Sequence, residues 1–153
     1  MLVAGIDEAG RGPVIGPMVI CLAIVDKEKE AELKEIGVKD SKLLAPEKRI
    51  DLFDKIKKIC RISYVIITAR KINEQMKSKS LNEIEANYIE KLIRSIDEKT
   101  MEEIEKIYID VPDPMPTKFL KRLKLNKEIV EKIHASHKAD VKFPICSAAS
   151  IVA

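Results

Sequence analysis

Two short apolar runs open the chain, LVAGID at 2–7 and MVICLAIV at 18–25, and a loop rich in glycine and proline separates them. Both runs are rich in β-branched residues, and the second is apolar almost without a break, as in a strand covered on both faces. Joined by Gly10, Gly12, Pro13, Gly16 and Pro17, they predict an antiparallel hairpin. Whatever follows must extend that sheet and cover both of its faces.

The rest of the chain supplies strands and helices in alternation. Asp26 caps a charged helix that runs to about Ile36 and stops at Gly37, and Pro46 opens a second helix to Cys60 with Ile50, Phe53, Ile56 and Cys60 on one stripe. ISYVIIT at 62–68 reads as a third strand. Ser80 and Glu83 form a capping box for a helix that carries Leu81, Ile84, Tyr88, Leu92 and Ile96 at a helical period. KIYIDV at 106–111 reads as a fourth strand ended by Pro112, TKFLKRL at 117–123 as a short helix, and residues about 129–137 as a fifth strand. CSAASIVA at 146–153 starts a helix after Pro144. This order predicts one α/β domain with a mixed central sheet of about five strands flanked by helices. A chain of 153 residues with no repeat or linker fits a single core.

Composition narrows the class further. Charged residues make up 35% of the chain, yet the formal net charge is only +3, too small by itself to mark a nucleic-acid binder. Cys21, Cys60 and Cys146 are odd in number, widely spaced and set among apolar neighbours, which suits buried thiols in a reducing compartment. No apolar run approaches the ~18 residues needed to span a bilayer. A cytoplasmic monomer with no membrane partner is expected.

The loop GIDEAGRGPVIGP at 5–17 raises the question of function. It matches neither the P-loop nor the dinucleotide fingerprint, and the strand expected at Met18 denies it a helix N-terminus to hold a pyrophosphate. Its glycines and prolines suit a turn, although backbone N–H groups and the Arg11 guanidinium could also meet a phosphate. Asp7 and Glu8 just before it repel one another and need a cation or solvent.

Divalent-metal hydrolysis of a phosphodiester draws hard oxygen ligands from several chain segments. Asp110 ends the fourth strand and Asp140 follows the fifth, so Asp7, Glu8, Asp110 and Asp140 could meet at one sheet edge. Spacing alone leaves open whether they share a cation or end their strands in solvent. Adjacent residues of a regular strand face opposite ways, so Asp7 and Glu8 face one metal only if the strand kinks, which the nearby glycines would permit. Other features are weaker. His134 and His137 lack a cysteine partner for zinc, Asp113 lies between two prolines in a turn, and Ser147 and Ser150 have no His and acid around them. Lys42 in Asp40-Ser41-Lys42 belongs to a solvated loop or meets a phosphate. Lys118, Lys121, Arg122, Lys124 and Lys127 form either a solvated face or a contact for a duplex backbone.

The segments GIDEAGRGPVIGPMVI, DSKLLAP, LNEIEA, IYID, HKAD and FPICSAASI, in this order, resemble type 2 ribonuclease H, ribonuclease HII, in its archaeal form. The resemblance runs from Ala4 to Val152 and implies a ribonuclease H-like fold. It implies a metal-dependent endonuclease that cuts the RNA strand of RNA–DNA hybrids and incises at ribonucleotides in duplex DNA, leaving 5′-phosphate and 3′-hydroxyl ends. The family's four catalytic, metal-binding acids fall on Asp7, Glu8, Asp110 and Asp140, with Mg²⁺ or Mn²⁺ as cofactor. Its Gly-Arg-Gly reader of the 2′-hydroxyl falls on Gly10, Arg11 and Gly12, and its phosphate-contacting lysine on Lys42. The chain ends at Ala153 inside the last expected helix, without the family's further helices, so a truncated catalytic domain is expected. The alternative is a catalytically impaired fragment that still binds hybrids.

Overall fold

The computed structural model describes residues 1–9, 17–37, 45–110 and 120–136. The expected hairpin is present: β1 (Leu2–Ala9) and β2 (Met18–Asp26) pair antiparallel from Leu2 opposite Asp26 to Ala9 opposite Val19. β3 (Arg61–Ile67) adds antiparallel to β2, while β4 (Ile104–Asp110) and β5 (Ile133–Ser136) add parallel on the far side of β1. The mixed sheet therefore runs in the order β3-β2-β1-β4-β5. β1 sits at its centre, with partners on both sides.

Helices cover both faces. A 3₁₀ turn at Lys27–Lys29 leads into α1 (Glu30–Glu35), so the helix expected from Asp26 is split, and Gly37 ends it at φ +87° as a left-handed C-cap. α2 (Pro46–Ile59) follows the expected bounds, but its stripe is rotated. Leu52, Ile56 and Cys60 are buried against Val3, Ala23 and Val25, whereas Ile50 is 63% exposed. The i, i+4, i+8 set that starts at Leu52 meets the sheet, and Ile50 lies off it.

The other face carries α3 (Ala69–Gln75), α4 (Leu81–Arg94) and α5 (Glu98–Glu103). The Ser80 hydroxyl accepts from the Glu83 N–H, as the capping box predicts. Ile84, Ile89, Leu92 and Ile93 of α4 are buried, Ile89, Leu92 and Ile93 in one cluster with Ala4, Ile6, Ile20, Leu22, Ile107 and Ile109. The strand expected at about 129–137 is corrected: residues 127–132 form a helix, α6 (Lys127–Lys132), and only Ile133–Ser136 is strand. The Asn126 carboxamide accepts from the Ile129 N–H and starts that helix despite the β-branched Ile129 and Val130. In TKFLKRL a helical turn occupies 120–122, and residues 117–119 lie outside the described residues, as does the helix expected at 146–153. Among the described residues no helix is long and apolar enough to cross a membrane.

Candidate active site

Sheet register decides which acids meet. Gly5 lies opposite Tyr108 and Ile6 opposite Ile109 in the parallel β1–β4 ladder, so one rung further Asp7 stands beside Asp110. Residues level on neighbouring strands share a face and sit about 4.8 Å apart at the backbone. Asp7 is 6% exposed and Asp110 is half-buried, at the C-terminal ends of two adjacent parallel strands. Loops at that edge of an α/β sheet are where sites are built.

Glu8 is placed differently. The β1–β2 ladder continues without a register shift through Glu8 opposite Ile20 and Ala9 opposite Val19. The kink that the nearby glycines would permit is therefore absent from the described strand, and Glu8 alternates to the α4 face, level with the buried Ile20. Strand pairing on the β2 side outweighs any local freedom from the glycines beyond Ala9. The Glu8 N–H donates to Asp7 Oδ1 at 2.8 Å, so that carboxylate oxygen turns back onto its own backbone and is held there.

The surroundings of the pair are apolar and thiol-bearing. Cys21 lies directly opposite Asp7 on β2. Burial, then the Asp7 charge, then Cys60 push its thiol up to about 12, and burial alone does the same to Cys60. Both are therefore protonated thiols near neutral pH. On the other side, the rung below carries Tyr108 with His134 of β5 edge-on at 5.7 Å between ring centres, so His134 packs against an aromatic ring.

The donor chemistry fits a hard divalent cation. Two carboxylates side by side repel unless a cation or proton lies between them, and oxygen donors are what Mg²⁺ and Mn²⁺ take. Among the described residues no three His, Cys, Asp or Glu side chains gather closely enough to hold a metal by themselves. Asp140, Gly10, Arg11, Gly12 and Lys42 lie outside the described residues, as do His137, Asp113, Ser147 and Ser150. Of the basic strip, Lys121, Lys124 and Lys127 are exposed. The Lys124 backbone is tied to α4, its carbonyl accepting from Arg94 and its N–H donating to Glu90. Glu90 and Arg94 pair with each other at 3.3 Å.

Two polar groups were not singled out from the sequence. Glu85 in α4 is fully buried, at a position that continues the stripe Leu81, Tyr88, Leu92. A carboxylate on a core stripe is the signal that could have found it. Ser136 ends β5 with its Cα opposite Asp110, in the same cross-strand row as the acid pair. Its Oγ is enclosed and has no hydrogen-bond partner among the described residues, an arrangement that costs about 1–3 kcal/mol.

A mixed five-stranded sheet in this order, helices on both faces and acids at the ends of its two central parallel strands define a ribonuclease H-like protein. The solved structure of ribonuclease H2 from Pyrococcus horikoshii superposes with a TM-score of 0.84 at 41% identity, over 99% of this chain and 70% of that one. The Ribonuclease HII family model matches residues 4–153. Ribonuclease HII of Methanocaldococcus jannaschii is 44% identical over 100% of this chain and 70% of its own length. That of Thermoplasma volcanium is 49% identical over 97% of this chain and 64% of its own. The chain belongs to the Ribonuclease HII family and spans about two thirds of the length of these relatives.

Proposed function

We propose that this chain is the catalytic domain of an endoribonuclease that hydrolyses the RNA strand of RNA–DNA hybrids and incises duplex DNA at embedded ribonucleotides, with Mg²⁺ or Mn²⁺ as cofactor. The observation that carries the reading is the parallel β1–β4 register, which runs to Ile6 opposite Ile109 and so places Asp7 and Asp110 on the next rung, in a member of this family. Asp7 and Asp110 hold the cation, and Glu8 and Asp140 complete the acidic set, Glu8 from the alternate side of β1. A divalent cation bound there makes water a better nucleophile near neutral pH and neutralises the leaving oxygen, and two such ions do both at once.

The protein's own groups orient the reaction. The Glu8 N–H holds one Asp7 oxygen in a fixed orientation beside Asp110. The buried setting raises the strength of every charge interaction at the pair. Gly10, Arg11 and Gly12 are assigned to the 2′-hydroxyl and Lys42 to a phosphate, the glycines allowing the close backbone approach that distinguishes RNA from DNA at one position.

The deciding measurement is cleavage of a DNA duplex carrying one ribonucleotide, beside an all-DNA duplex and an RNA–DNA hybrid, in Mg²⁺ and in Mn²⁺. The expected products are a nick at the ribonucleotide, hybrid cleavage, 5′-phosphate and 3′-hydroxyl ends, and an intact all-DNA control. Equal cutting of the all-DNA duplex, or hybrid binding without cleavage in either metal, overturns the reading.

A further inference from the structure

Each rung between β4 and β5 pairs like with like. Ile107 lies opposite Ile133, Tyr108 opposite His134 with their rings in contact, and Ile109 opposite Ala135. The last rung sets Asp110 opposite Ser136. Every member of the first three rungs finds packing across the strand. Ser136 Oγ, enclosed and without a hydrogen-bond partner among the described residues, has not found its own. Buried hydroxyls in native proteins nearly always have a partner, and the exceptions call for a specific explanation.

We propose that Ser136 is a positioning residue for Asp110, an inference that rests on reading Asp7 and Asp110 as the cation-holding pair. Neighbours level on parallel strands share a face about 4.8 Å apart, and a staggered change at χ1 swings a serine hydroxyl through the whole arc beside its neighbour. A carboxylate has about four acceptor sites, so Asp110 accepts the Ser136 O–H on one oxygen while it keeps its other contacts. That donation stops the carboxylate from rotating and presents its second oxygen towards Asp7. Outer-shell donors of this kind orient ligating carboxylates and strengthen metal binding.

The test measures Mn²⁺ affinity by calorimetry and metal-free Tm for Ser136→Ala, Ser136→Thr and Asp110→Asn, beside the unsubstituted chain. Ser136→Ala is expected to weaken Mn²⁺ binding about tenfold, while Ser136→Thr, which keeps the hydroxyl, restores it. The metal-free Tm of Ser136→Ala should stay within a few degrees of the unsubstituted chain, because one such hydrogen bond contributes only about 1 kcal/mol net. A merely structural serine would instead lower the Tm and leave affinity alone. Unchanged affinity in Ser136→Ala with lost affinity in Asp110→Asn overturns the inference and spares the underlying reading. Unchanged affinity in Asp110→Asn overturns both.

Discussion

Among the described residues, the two faces of the sheet are built to different depths. On the α4 side, sixteen buried residues among those described form one cluster that runs from Ala4 to Leu123 and takes in four strands. On the α2 side the described cluster has seven, centred on Val3, Val25, Leu52 and Ile56 at the end of the sheet away from Asp7. The larger cluster anchors the strands, and the acid pair stands on the face with the smaller one. On the proposed reading of the acid pair, stability and chemistry are thus separated across a single layer of backbone. Glu8 lies on the stability side of that layer and Asp7 on the other, one residue apart.

Substitutions that respect or violate this division should differ sharply. Asp7→Asn and Asp110→Asn are expected to lower cleavage by at least about a hundredfold with Tm unchanged or raised, while Glu8→Gln, on the alternate face, should cost less. Equal losses at all three positions would show that the faces do not separate the acids. In the large cluster, Ile20→Ala should lose about 4 kcal/mol in denaturant unfolding, and Leu52→Ala in the small one about 2–3 kcal/mol, because a thin layer collapses more readily around a cavity. Alkaline titration gives a subtler contrast. Cys21 and Cys60 are held near 12 against an ordinary 9.0, so the unfolded chain releases their protons first and stability should fall as pH rises from about 9 towards 12. Cys21→Ala with Cys60→Ala should flatten that slope. Ile50→Ser, outside both clusters, should change stability by no more than about 0.5 kcal/mol.

The sequence made the long elements legible because their patterns are long. The hairpin, α2, β3, α4 and β4 all fall within a residue or two of expectation. The helices that went unread, α3, α5 and α6, have only six or seven residues, too few for a period to show. Each is nonetheless announced by its cap: Thr68, Asp97 and Asn126 accept from the N–H groups of Lys71, Thr100 and Ile129. In α6 the cap overrode β-branched residues that read as strand. Asp7 and Asp110 could be picked out as acids ending apolar strands, but their spacing left open whether they meet, since nothing local encodes a register between distant strands. Ser136 was invisible for the same reason. The position of Glu8 followed from strand alternation, which the antiparallel ladder enforces.

The parallel pairing of β1 with β4 has a kinetic consequence. Ile6 and Ile109 are neighbours in space across roughly a hundred residues of chain, the kind of contact whose closure entropy slows folding. The hairpin of β1 and β2 needs only a short loop and can form as soon as both strands exist. Asp7 lies on this local hairpin, whereas Asp110 joins it only through the long-range pairing of β4. A cation site that needs both acids, as proposed, is therefore expected to form only after β4 has docked on β1.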